Sequence, residues 1–131
     1  MPAFKKVLFI DDDPITIHIS GRLMKLVEFA GEFVSCEDGS QAKDHLLNNI
    51  HDLPDIIFVD LHMAGMNGWQ FLSWFENWPV IQHISIPVYV LSSSLSTEDL
   101  EQASVYKKVT GYIVKPVTTA HLDEVISKFT G

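Results

Sequence analysis

Five short, largely apolar runs, each broken off by polar residues and followed by a helix-length segment, constrain the fold of this 131-residue chain more than any other feature. The clearest is Ile56–Val59, rich in β-branched and aromatic residues, opened by Pro54 and closed by Asp60. A run without polar alternation reads as a strand covered on both faces, the habit of an interior strand in a parallel sheet. Beyond Asp60 the chain turns irregular, with Gly65, Asn67 and Gly68 ahead of an apolar stretch from Trp69 to Trp78. Asp60 is thereby placed at the carboxyl end of an interior strand, where open α/β sheets hold their ligands.

The other runs follow the same rule. Val7–Ile10 is a first strand ending in Asp11, Asp12 and Asp13, and Pro14 suits the opening turn of a helix capped by Asp13. Ile15, Ile19, Leu23, Leu26 and Val27 carry a helical period to about Phe29–Gly31. Glu32–Cys36 is a second strand, Asp38-Gly39 a turn, and Ser40 the cap of a helix bearing Ala42, Leu46, Leu47 and Ile50. The third helix presents Phe71, Trp74, Phe75 and Trp78 on one face, and Pro79 and Pro87 bracket a connector. Val88–Leu91 is strand four, running into Ser92, Ser93 and Ser94. Ser96 and Asp99 have capping-box spacing for a fourth helix reaching about Lys108. Gly111–Val114 is strand five, followed by Lys115-Pro116, and Thr118 or Thr119 opens a last helix with Leu122, Val125, Ile126 and Phe129 as its stripe. The order is (βα)5 without repeats or linkers, which makes residues 1–131 a single α/β domain. Helical crossovers require parallel strands and right-handed connections, hence a doubly wound five-stranded sheet.

Composition excludes several functions. A net charge of −8 is wrong for nucleic acid, whose phosphates call for a basic surface. The single cysteine, Cys36, has no disulfide partner in the chain and fits a buried strand position in a reducing cytoplasm. The amino terminus, with a short apolar run before three acids, is no signal peptide, and no apolar stretch reaches membrane-spanning length. The six histidines lack the i, i+4 spacing of a zinc helix.

In a parallel sheet all carboxyl ends share one edge. That edge collects Asp11, Asp12 and Asp13 from strand one, Asp60 from strand three, Ser92 from strand four and Lys115 from strand five. Crowded carboxylates call for a hard divalent cation with oxygen ligands, and Mg²⁺ leaves room for a phosphoryl oxygen. An aspartate nucleophile accepting a phosphoryl group, assisted by metal, ammonium and hydroxyl, is the chemistry such a set supports.

From Lys5 to about Phe129 the chain resembles the receiver domain of two-component response regulators, in the stand-alone form known from chemotaxis. The matching residues are Asp11 and Asp12 after VLFI, Asp60 within FVDLHMAGMNG, Ser92 within PVYVLSS, and Lys115-Pro116 within GYIVKP. The resemblance implies a flavodoxin-like sheet of strand order 2-1-3-4-5 and a signalling switch that catalyses only its own phosphorylation and dephosphorylation. It implies Asp60 as phosphoacceptor, Asp12 as direct Mg²⁺ ligand with Asp11 assisting through water, and Asp60 with the His62 backbone carbonyl completing the shell. Mn²⁺ could substitute. Ser92 would bond the phosphoryl oxygen, Lys115 pair with it, and Tyr112 hold the aromatic switch position. His62 and Ser94 fall at the two positions that modulate hydrolysis of the aspartyl phosphate. The implied donor is a sensor histidine kinase or histidine phosphotransfer protein. With no output domain in the chain, the signal would pass to a separate protein target, from a monomer or a weak dimer through the helix four, strand five and helix five face. Two residues depart from the family: Ala64 replaces the usual proline, which would make the loop after Asp60 less rigid, and Ser93 replaces a smaller Ala or Gly.

Two other readings remain open at this point. Asp11–Ile15 also resembles the DxDx[T/V] motif of haloacid-dehalogenase-type phosphohydrolases, which would make Asp11 the nucleophile. That family needs acidic metal ligands after its lysine, and here only Asp123 and Glu124 follow, in mid-helix. A degenerate receiver serving as a docking module is the other, against which Asp12, Asp60 and Lys115 are all present. Of the remaining features, the aromatics from Trp69 to Trp78 read as core, with Trp69 nearest the Asp60 loop, and Lys107-Lys108 reads as the cationic end of helix four.

Overall fold

Residues 2–93 and 96–130 are described by a computed structural model. Strands and helices alternate without exception: β1 (Phe4–Ile10), α1 (Pro14–Leu26), β2 (Ala30–Cys36), α2 (Gly39–Leu47), β3 (Ile56–Asp60), α3 (Gly68–Glu76), β4 (Val88–Ser92), α4 (Thr97–Ser104), β5 (Val109–Val114) and α5 (Thr119–Thr130). A 3-10 turn at Pro79–Ile81 joins α3 to β4. Neighbouring strands are parallel, in the order β2-β1-β3-β4-β5. This is the flavodoxin-like arrangement expected from the sequence.

The interior strands are buried on both faces, which is why their sequences lack alternation. Leu8, Ile10, Ile57, Val59, Val88 and Val90 point to one side, against Ala42 and Leu46 of α2 and Phe71, Leu72 and Phe75 of α3. Val7, Phe9, Ile56, Phe58, Tyr89, Leu91 and Ile113 point to the other, against Met24 of α1 and Leu122 and Val125 of α5. Among the described residues no helix is long and apolar enough to cross a membrane.

Several element ends differ from the sequence reading. α1 stops at Leu26, and the chain reverses through Glu28, whose φ of 53° is left-handed, so that Ala30 and Gly31 already belong to β2. The stop is a glutamate in a position usually given to glycine, and a search for Gly runs past it. The stripe read on α1 is also displaced. Ile15, Ile19 and Leu26 are 68%, 49% and 74% exposed, while Ser20 and Met24 are buried and Gly21 lies against the Phe33 ring. Small residues on the inward stripe let Phe33 of β2 supply the bulk, so the bulky residues of α1 mislead. On α2 the cap is Asp38, whose side chain accepts from the Gln41 N–H, rather than Ser40. Leu47 and Ile50, read on the stripe of that helix, are exposed. α3 ends at Glu76, two residues before Trp78, although Trp78 still stacks on Trp74 with ring centroids 4.9 Å apart.

α4 ends at Ser104, so Lys107 and Lys108 do not close it. Their backbone N–H groups donate instead to the two carboxylate oxygens of Glu76, at 2.7 and 3.0 Å. Just before them in the chain, Tyr106 stacks on the Trp69 ring with centroids 6.1 Å apart. Phe129 is partly exposed at the far end of the α5 stripe.

Candidate functional site

Strand register brings the acidic residues together. Ile10 pairs with Val59, which sets Asp11 beside Asp60; Asp60 pairs with Leu91, and Ser92 with Val114, one residue before Lys115. Side-chain direction then follows from the period of two. Asp11 continues the alternation of Val7 and Phe9, Asp60 that of Ile56 and Phe58, and Lys115 that of Gly111 and Ile113, all on the α1–α5 side. Ser92 and Tyr112 fall in the opposite phase, with Val88 and Val90 and with the Tyr112 ring against that half of the core.

The charged groups meet at hydrogen-bond distance. Lys115 Nζ donates to Asp11 Oδ2 at 3.0 Å and to Asp60 Oδ2 at 3.2 Å. Asp11 is fully buried and Asp60 is 3% exposed, whereas Asp12 is exposed. Backbone groups bind further carboxylate oxygens of the cluster. The Asp13 N–H donates to Asp11 Oδ1 at 2.9 Å, the His62 N–H to Asp60 Oδ1 at 3.2 Å, and the Ala64 N–H to Asp12 Oδ2 at 3.2 Å. A proline at 64 would have no N–H to give. The loop after Asp60 is therefore tied to the first strand's acids at the residue where the family usually has proline. Burial pushes the Asp60 carboxyl above its ordinary pKa and the charge of Asp11 adds to this, while the His62 N–H and Lys115 offset part of the rise.

One oxygen of each of Asp11, Asp12 and Asp60 lies within 4.8 Å of the others, an all-oxygen donor set suited to a hard cation. Ser92 is buried at the end of β4, and its carbonyl accepts from the Lys115 N–H at 2.7 Å. Ser93 is exposed and Ser94 lies outside the described residues. Gly68 holds the far end of the loop. Its N–H donates to the Leu61 carbonyl at 3.2 Å, and a Cβ there would collide with the Asp60 carbonyl and with Leu61 Cα at 2.7 Å. Asp99 went unnoticed in the sequence as anything but part of a cap. In the structure its carboxylate reaches the His62 ring, at 3.0 Å from Nε2. No local pattern marks a contact spanning 37 residues.

The fold and this edge define a receiver domain. The chain belongs to the response regulator receiver domain family, whose model matches residues 7–127. It is 27% identical over 128 residues to the sensor histidine kinase GacS of Pseudomonas protegens, covering 96% of this chain and 13% of that protein. It is 34% identical over 100 residues to the gliding motility regulatory protein of Myxococcus xanthus, covering 75% of this chain and 12% of that one. The chain thus spans a small fraction, 13% and 12%, of these curated relatives. Among solved structures, a two-component response regulator from Cytophaga hutchinsonii superposes with a TM-score of 0.86 at 29% identity, over 96% of both chains. The chemotaxis protein CheY4 of Vibrio cholerae, at 21% identity, a TM-score of 0.80 and coverage of 95% and 98%, shares the fold. Receiver domains are signalling switches of two-component systems rather than conventional enzymes, so family membership displaces the phosphohydrolase reading of Asp11.

Proposed function

We propose that this receiver accepts a phosphoryl group on Asp60 from the phosphohistidine of a sensor kinase or phosphotransfer protein and thereby changes its partner-binding face. The observation that carries the reading is the pair of buried carboxylates, Asp11 and Asp60, sharing the Lys115 ammonium at the sheet edge. In the transfer an Asp60 oxygen attacks phosphorus, the P–N bond to the donor imidazole breaks, and the imidazole leaves with the electron pair. Lys115 stands where it can follow the charge onto the phosphoryl oxygens, and Ser92 offers them a hydroxyl. Asp11, Asp12, Asp60 and the His62 backbone carbonyl would hold Mg²⁺, which when bound draws charge from the transferring group.

Ile15 and Ile19 support the idea of a protein donor. They stay exposed on the first two turns of α1, directly after the acidic edge, and an exposed apolar patch beside a reactive group suits a packed partner. Output runs through Ser92 and Tyr112, which share a side of the sheet. Drawing Ser92 toward a phosphoryl group makes room for Tyr112 to turn inward and reshapes the surface of α4, β5 and α5.

With Mg²⁺ and acetyl phosphate the protein should gain one hydroxylamine-sensitive phosphoryl group, and Asp60→Asn should abolish it because an amide is no nucleophile. Labelling should also fail in excess EDTA. Stoichiometric labelling of Asp60→Asn would move the acceptor to Asp11, and an unlabelled wild type would leave a docking module.

A further inference from the structure

His62 is held from two directions. Its backbone N–H donates to Asp60 Oδ1, and its ring Nε2 lies 3.0 Å from Asp99 Oδ2. Asp99 belongs to the first turn of α4, where its own N–H donates to the capping Ser96 Oγ at 3.3 Å. A carboxylate in a first helical turn is already favoured by the helix dipole, so the ring contact is an addition to the cap and no requirement of it. The two partners are unequal. The Asp99 side chain is 14% exposed and seated, while that of His62 is 57% exposed and is the one with room to turn. α4 itself is lightly anchored: Ala103 is its one buried residue, and Leu100 is more than a third exposed. A helix with so little buried surface opens locally at low cost, and one polar tie is a large share of what fixes its first turn.

We propose that the His62–Asp99 pair latches the first turn of α4 to the Asp60 loop, and that a phosphoryl group on Asp60 opens this latch by competing with Asp99 for the His62 ring. The inference rests on the reading of Asp60 as phosphoacceptor. A phosphoryl group brings about −1.5 to −2 charge and three strong acceptor oxygens to a position two residues from the ring. Against a single carboxylate oxygen, that acceptor makes the stronger charge-assisted bond. When the ring turns, Asp99 keeps its bond to Ser96 and α4 stays helical, but its first turn is no longer tied to the loop. The route is separate from Ser92 and Tyr112, because neither of those side chains takes part in it.

Amide hydrogen exchange of α4 in the full chain tests this, with and without Mg²⁺ and beryllofluoride as the phosphoryl mimic. Without the mimic, His62→Ala should speed exchange in the first turn of α4 by about threefold to tenfold, although no atom of the helix has changed. Asp99→Asn, which keeps the shape but removes the charge, should raise it by a smaller factor. With the mimic, exchange in that turn should rise by a larger factor in wild type than in His62→Ala, which has no latch left to open and keeps only the Ser92–Tyr112 route. Unchanged exchange in His62→Ala before the mimic overturns the latch. An equal rise in wild type and His62→Ala overturns its opening by the phosphoryl group. A wild type in which no amide near Asp60 responds to the mimic overturns the acceptor reading and the opening step together, while the first comparison, made without the mimic, still decides the latch.

Discussion

Lys6, in the amino-terminal half of β1, and Lys115, just past the carboxyl end of β5, are both drawn into the protein, with side chains 5% and 18% exposed. Their surroundings differ. Lys6 Nζ donates to the Asp52 carbonyl at 2.9 Å and reaches the Asp52 carboxylate at 3.4 Å, and that carboxylate is 70% exposed. Lys115 meets two carboxylates that are themselves hidden, with a third, Asp12, beside them. At Lys6 one ammonium is solvated by a carbonyl and a hydrated anion, and little is left unbalanced. At Lys115 two hidden carboxylates share one ammonium, with the exposed Asp12 beside them, so the site carries a surplus of negative charge in a place that penalises it. Burial alone would lower the Lys115 pKa, yet the hydrogen bonds and charges of Asp11 and Asp60 hold it above the usual lysine value. Burial of a lysine therefore does not mark a functional site. The unbalanced charge around it does.

The strongest way to break this contrast is to remove each ammonium. Lys115→Met should lower stability by about 3 kcal/mol, the cost of stranding buried charge, and should also slow labelling of Asp60. Added Mg²⁺ should restore part of the stability, because a divalent cation takes up the same surplus. Lys6→Met should cost about 1 kcal/mol, roughly one net hydrogen bond, with labelling within about twofold of wild type and no recovery in Mg²⁺. Urea melts of the two variants with and without Mg²⁺ give the answer. Equal rescue of both would show that the charge surplus is not confined to the Asp60 edge.

That contrast also marks what was legible in the sequence. Asp11, Asp12, Asp60, Ser92 and Lys115 each end or follow an apolar run, and parallel strands must bring such ends to one edge, so the order of the runs alone discloses the cluster. The parallel sheet followed from the same alternation, while the strand order came from the resemblance to receiver domains. Lys6 could not be read, because its burial depends on where the Asp52 loop passes and not on its neighbours in β1. The same holds for α1, where periodicity marks a helix but the buried stripe is decided by Phe33 on another element. The His62–Asp99 contact was equally hidden, since it joins a loop to a helix that has no local reason to meet it. Local pattern reports strands and their ends; which side chains meet across elements is set by packing.

A subtler difference between the two lysines is their influence on pH dependence. His45, on α2, has a buried Nε2 without a hydrogen-bond partner among the described residues. Burial lowers its pKa below 6.5, the charge of Lys6 lowers it further, and Glu32 and Asp52 pull the other way. The unfolded chain therefore takes up this proton first as the solution is acidified. His45 contributes its full stability above about pH 6.5, and that contribution is lost as pH falls toward the folded value. Urea midpoints measured at about pH 7.5 and 5.5 should fall less in His45→Gln than in wild type. Lys6→Met should also flatten the slope, by removing the second cause while leaving burial in place. An unaltered slope in His45→Gln would assign the acid sensitivity to other groups.

The smallest expected effect belongs to Asp52→Asn, and it decides whether Lys6 is an ion pair at all. The 3.4 Å separation is long and the carboxylate is mostly hydrated, so screening leaves little net attraction. The carbonyl of the same residue, at 2.9 Å, is the closer partner and survives the substitution. Asp52→Asn should therefore change stability by no more than about 0.5 kcal/mol, and the difference should shrink further in high salt. A loss as large as that of Lys6→Met would mean that the carboxylate, not the carbonyl, compensates the buried ammonium. Lys6 would then be a charge pair of the same kind as Lys115, and the contrast between the two edges would reduce to the number of carboxylates at each. A near-zero change, together with the full cost of Lys6→Met, would instead fix the Lys6 edge as backbone solvation and leave paired buried charge to the Asp60 edge.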